Sequence, residues 1–114
     1  MAIEIKRTSR ELSKVEVYRM TLDNAILSCK DLPDGTEIEV AAWLEYDDEK
    51  ENGKVESIFS ILSTSGQVYA CTSKTFSRNV LEIADVFGDD TYTVVKQSGV
   101  TKSGKNFIYA TLKY

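Results

Sequence analysis

The chain has 114 residues, 42% of them hydrophobic, and its 18 acidic and 14 basic side chains leave a net charge of −4. That length suits one domain with a core that needs neither disulfide nor metal. No apolar run approaches the roughly 20 residues of a membrane helix, nothing resembles a signal peptide, and an acidic total excludes a polyanion binder that uses its whole surface. Histidine is absent, which removes the commonest general base and metal ligand, so an enzyme is the least supported class and no cofactor or metal is expected.

Residues 1–12 mix charge with Thr and Ser without a period and read as an N-terminal arm or short edge strand, ahead of a domain spanning 13–114. Ser13 and Glu16 have the spacing of a capping box, which predicts a short helix over about Lys14 to Met20. Val15, Tyr18, Leu22 and Ile26 extend an apolar face beyond it, expected to cover one mouth of the domain. Cys29 and Cys71 form no C-x-x-C pair and read as two packed, reduced thiols of a cytosolic protein.

Leu32-Pro33-Asp34-Gly35 is a turn, after which Thr36 to Tyr46 alternates. Ile38, Val40, Ala42 and Leu44 fall on one face, expected to be core, which sends Trp43 to the outer face. Asp47 to Gly53 is an acidic connector ending in the hairpin signal Asn52-Gly53. Lys54 to Thr64 is a strand of ambiguous phase, because Val55, Phe59 and Ile61 oppose Ile58 and Leu62. Ser65-Gly66 turns the chain into a strand over Gln67 to Thr72, where Val68 and Ala70 alternate with Tyr69 and Cys71.

Residues 73–88 carry the one unambiguous helical pattern. Phe76, Val80, Ile83, Ala84 and Phe87 make a single stripe, with Ser73 or Thr75 to cap its start and Gly88 to end it. Thr91 to Gln97 and Lys105 to Lys113 then form a terminal strand pair. Three meandering strands, a helix and a hairpin are the element order of a mainly β, five-stranded OB-fold barrel, with the helix plugging the barrel between strands three and four.

Gly99 to Asn106 nearly spells a P-loop. Asn106 stands where magnesium needs Ser or Thr, and the following residues read as strand rather than helix, so a nucleotide site is rejected. The segment reads instead as a flexible basic hairpin tip. Charge is unevenly spread: residues 31–51 sum to −8, while residues 91–114 carry four Lys and no acid.

Binding a single nucleic-acid strand asks for flat rings to stack bases and cations to meet phosphates. Phe107 and Tyr109 share a face opposite Ile108, Ala110 and Leu112, and Tyr69 opposes Val68 and Ala70. The expected contacts are therefore Trp43, Tyr69, Phe107 and Tyr109 for bases and Lys96, Lys102 and Lys105 for phosphates, with Phe59 and Lys54 as further candidates.

Thr64 to Ser73, Thr75-Phe76, Val86-Phe87-Gly88-Asp89 and Thr101 to Phe107 together resemble the small single-stranded DNA-binding proteins of phages and prophages of Gram-positive bacteria. The resemblance implies an OB-fold that coats single strands in phage replication or recombination within the host cytoplasm, without catalysis. Phage replication or recombination proteins would be its partners. The chain ends Leu112-Lys113-Tyr114 rather than in an acidic recruitment tail, so recruitment through such a tail is not expected. An OB-fold protein-interaction module, using the acidic segment, is the alternative function.

Overall fold

The computed structural model describes residues 2–114. The elements run β1 (Ala2–Thr8), α1 (Lys14–Thr21), β2 (Leu27–Ser28), a 3-10 turn (Cys29–Asp31), β3 (Thr36–Glu49), β4 (Val55–Ser63), β5 (Val68–Cys71), α2 (Lys74–Phe87), β6 (Tyr92–Val100) and β7 (Asn106–Leu112). The fold is mainly β, a curled sheet with two α-helices. Its strand order is β2-β5-β4-β3-β6-β7, with β1 paired to β3.

Two features correct the five-strand expectation. The first is the number of strands: the N-terminal segment takes the strand form of its two readings as β1, antiparallel to β3 from Ala2↔Glu49 to Thr8↔Leu44, and β2, an unexpected strand, pairs in parallel with β5. The second is closure. Among the described residues no ladder joins β5 to β7, so the sheet curls without closing. Side chains of α2 stand in at that seam: Asn79 Oδ1 accepts the Ala110 amide at 3.1 Å, and the Ser73 hydroxyl donates to the Ile108 carbonyl at 3.5 Å. A β7 edge that would otherwise leave buried polar groups unpaired is thereby partly satisfied.

Strand β3 carries most of the pairing. Thr36 to Val40 pairs with β6, and Val40 to Glu49 pairs with β4. The β3–β4 register shifts between Val40↔Ser63 and Ala42↔Leu62, a bulge at Ala41. An extra residue breaks the period of two, so side chains beyond it swap faces. The expected single core face of Ile38, Val40, Ala42 and Leu44 is therefore split. Ile38 and Val40 join one cluster with Phe59, Ile61, Phe76, Val80 and Val94, whereas Ala42, Leu44 and Tyr46 join a second with Met20, Leu62 and Val68.

Both faces of β4 are consequently used, which explains its ambiguous pattern: Phe59 and Ile61 enter the first cluster and Leu62 the second, with Ile58 packed against it. Helix α2 closes the first cluster with its expected stripe, Phe76 and Val80 being fully buried. Ser73 caps it by accepting from the Phe76 amide at 3.1 Å. The thiols of Cys29 and Cys71 are free and buried; a hydrogen bond to Cys71 together with burial pushes the Cys29 thiol up.

Helix α1 closes the second cluster, on the other face of the sheet rather than over a barrel mouth. Met20 is its fully buried anchor, and the Arg19 guanidinium donates to the Gly66 carbonyl. The expected stripe is not the buried one, since Val15, Tyr18 and Leu22 are exposed and Ile26 alone packs on the cluster. The capping box is formed: Ser13 Oγ accepts the Glu16 amide at 3.1 Å, and the Ser13 amide donates to Glu16 Oε1 at 2.9 Å.

Phe76→Ala should cost about 3–5 kcal/mol, because it empties a site closed on all sides, and urea unfolding would measure it as a lowered midpoint at unchanged slope. Hydrogen bonds from Arg10 and from the Ser13 amide hold the Glu16 carboxyl down at about 2. Its contribution to stability is thus present above the ordinary carboxylate range near 4.5 and is lost as pH falls toward 2. Glu16→Gln should make the acid limb of the stability curve shallower in that window, as read by thermal midpoints measured from pH 6 to pH 2.

Candidate nucleic-acid interface

The unclosed seam between β5 and β7 continues into a cleft of about 970 Å³. Three walls bound it. The turn end of the β6–β7 ladder supplies Ser98 to Val100 and Asn106 to Ile108, the end of β5 and the cap of α2 supply Ala70 to Ser73, and the N-terminal segment supplies Thr21, Ile26, Ser28 and Lys30. Tyr46 and Ile58, a cross-strand pair of β3 and β4, line it as well. Its charged lining residues are both lysines, Lys30 and Lys96, in a chain of net charge −4.

Phe107 lies in the cleft wall and is 37% exposed. The strand alternation holds on β7: Ile108 and Ala110 are buried on one side, and Phe107 and Tyr109 lie together on the other with ring centroids 5.8 Å apart at 34°. Beyond Phe107 the hairpin carries Lys102 and Lys105, both exposed. Its tip is a hydrogen-bonded turn, not an open loop two glycines wide. The Thr101 amide donates to the Lys105 carbonyl at 2.8 Å, the Gly104 amide to the Thr101 carbonyl at 2.9 Å, and Thr101 Oγ1 accepts the Lys105 amide at 3.0 Å. Strand β6 runs through Val100, so Gly99 belongs to the ladder, and Gly104 alone takes the left-handed turn position with φ 86°.

Other expected contacts lie elsewhere. Phe59 is only 3% exposed and belongs to the first core cluster, because β4 turns that side chain inward. Tyr69, opposite Ile61 on β5, packs half-buried against the same cluster, since Val68 and Ala70 take the other face. Lys96 is 4% exposed; its ammonium donates to the Leu32 carbonyl at 2.7 Å and to Asp34 Oδ1 at 3.2 Å. It lines the cleft while clamping the Pro33 turn onto β6, where the Ser98 hydroxyl also donates to Asp34 Oδ2 at 2.7 Å. Those hydrogen bonds, Ser98 first and Lys96 second, hold the Asp34 carboxyl below its usual range.

The Ala41 bulge returns Trp43 to the first-cluster side. There it is half-buried, stacked on Phe59 with centroids 5.9 Å apart, and topped by the Arg7 guanidinium at 5.9 Å. It lines a separate depression of about 430 Å³ with Arg10, Asp89 and Asp90, not the cleft. Lys54 is exposed at the tip of the β3–β4 hairpin, beyond Tyr46 and Ile58. The structure thus brings Phe107, Tyr109, Lys102 and Lys105 onto one hairpin and separates them from Trp43, Phe59 and Tyr69.

The sequence reading missed Lys30, Tyr46 and Asn106 as cleft residues. Lys30 follows a two-residue strand too short to produce a pattern, and its place comes only from the parallel pairing of Leu27↔Tyr69 and Ser28↔Ala70. Burial, with the Asp48 and Glu56 carboxylates adding to it, pushes the Tyr46 phenol up to about 12, so it stays a neutral wall group that donates toward the Thr21 carbonyl at 3.4 Å.

No curated protein and no solved structure matches the chain. Residues 4–113 match the family described as phage single-stranded DNA-binding protein, a span that takes in most of β1, both helices, the cleft and the basic hairpin. By that match the chain belongs to the Phi29 phage single-stranded DNA-binding protein family.

Proposed function

We propose that the protein coats single-stranded DNA without catalysis and with little sequence preference, in phage DNA replication or recombination inside the bacterial host. The observation that carries this reading is the cleft of about 970 Å³, whose wall combines the exposed Phe107 ring with the exposed Lys30, its other charged lining residue, Lys96, being paired with Asp34. Rings accept any base on their faces and lysines accept any phosphate, so such a lining favours a strand over a particular sequence. Strands β3 to β7, with α2 between β5 and β6, follow the element order of an OB-fold, and the cleft lies between hairpins that flank the binding face in such folds.

In this reading bases stack on Phe107 and Tyr109. Lys30 inside the cleft, Lys102 and Lys105 at one hairpin tip and Lys54 at the other meet phosphates. Lys96 holds a wall in place, and Trp43, Phe59 and Tyr69 pack in or against the first core cluster. Much of the remaining surface is acidic, most of all residues 31–51, and this keeps the backbone of the DNA to the lysine-bearing path.

Titration with oligo-dT at several salt concentrations tests the proposal, and absence of binding at low salt would overturn it. The double substitution Lys102→Ala with Lys105→Ala should reduce the slope of log affinity against log salt by about 1.4, and Lys30→Ala by about 0.7, from the single-strand value of roughly 0.7 per phosphate contact. Phe107→Ala should weaken binding by about 1–3 kcal/mol at every salt concentration with the slope unchanged, since it removes stacking and no charge.

A further inference from the structure

Five of the six glycines, Gly35, Gly53, Gly66, Gly88 and Gly104, have positive φ, the region that excludes most side chains. Gly99 does not; it sits in the regular ladder of β6, where any residue has an allowed backbone. A glycine there loses β propensity for no conformational gain. What Gly99 has instead is a close neighbour in the space of its missing side chain. A Cβ at this position would lie 2.7 Å from Phe107 Cζ, closer than real Cβ contacts come, and 3.0 Å from Cε1, at the tight limit. Phe107 is its direct cross-strand partner, and both residues line the cleft.

We infer that Gly99 is a positioning residue for DNA binding: its bare backbone seats the far edge of the Phe107 ring over β6, which orients the ring as a stacking surface in the cleft wall. The inference rests on the assignment of Phe107 to base stacking. A methyl group at position 99 strikes the tip of a side chain, not backbone, so the ring swings to another rotamer while the strand stays. The Tyr109 ring, 5.8 Å from Phe107 on the same face, is the other neighbour whose arrangement depends on that seat.

Gly99→Ala, Phe107→Ala and the double variant are compared by oligo-dT titration at one salt concentration, with thermal midpoints recorded for each. The single variants should each bind at least about fivefold more weakly than the parent, the lower end of one lost base stack, and the double variant no more weakly than Phe107→Ala. Wild-type affinity in Gly99→Ala beside a weakened Phe107→Ala overturns the inference, as does a double variant whose losses multiply. If Phe107→Ala itself binds like the parent, the stacking assignment fails and the inference falls with it. A second measurement needs no substitution at Gly99: its Hα resonances should lie upfield from the Phe107 ring current in the parent protein and return to ordinary strand values in Phe107→Ala. Unshifted resonances in the parent protein overturn the inference whatever the binding data.

Discussion

One extra residue in β3 organises the molecule. Without the bulge at Ala41, a regular 14-residue strand would send Ile38, Val40, Ala42, Leu44 and Tyr46 to one side and leave Trp43 on the other among Glu37, Glu39 and Glu45. With it, the strand serves two apolar clusters in turn, one under α2 and one under α1, and its two halves reach different neighbours. Bulges also increase local twist and bend the strand that carries them. The two helices then pack on different clusters, α2 on the first through Phe76 and Val80 and α1 on the second through Met20.

The unpaired seam accounts for the shape of the site. Because the curl stops short of a β5–β7 ladder, the seam is held by α2 side chains on one stretch and opens into the cleft on the next. A fully paired seam would have filled this space with backbone. The N-terminal segment then adds the third wall, which places Lys30 opposite a hairpin distant from it in the sequence. No acidic residue lines the cleft, and of its two lysines Lys96 is paired with Asp34, which leaves the exposed Lys30 as the charge the lining presents.

Periodicity made α2, the α1 cap and the alternation of β7 legible from the residues alone, because each depends on neighbours within about a dozen positions. Ser73, Phe76 and Val80 do what their spacing implies, and Phe107 and Tyr109 share the face that alternation assigns them. What the sequence concealed was long-range. Ala41 looks like any other outward residue of β3, yet its bulge moved Trp43 off the solvent face and Ala42 and Leu44 into another cluster. Lys96 looks like a strand-end lysine free for phosphate, but the Pro33 turn folds back over it and supplies a carbonyl and a carboxylate. The resemblance carried by Thr101 to Phe107 and the other short motifs led to the family, which no single one of them specifies.

The turn at the end of the β6–β7 hairpin has one more implication. Thr101 binds both the backbone and, at 2.9 Å, the Ser103 hydroxyl, so the loop is already knitted before any ligand arrives. Little chain entropy then remains to be lost at this turn, so a contact made there would spend little of its free energy on ordering a loop.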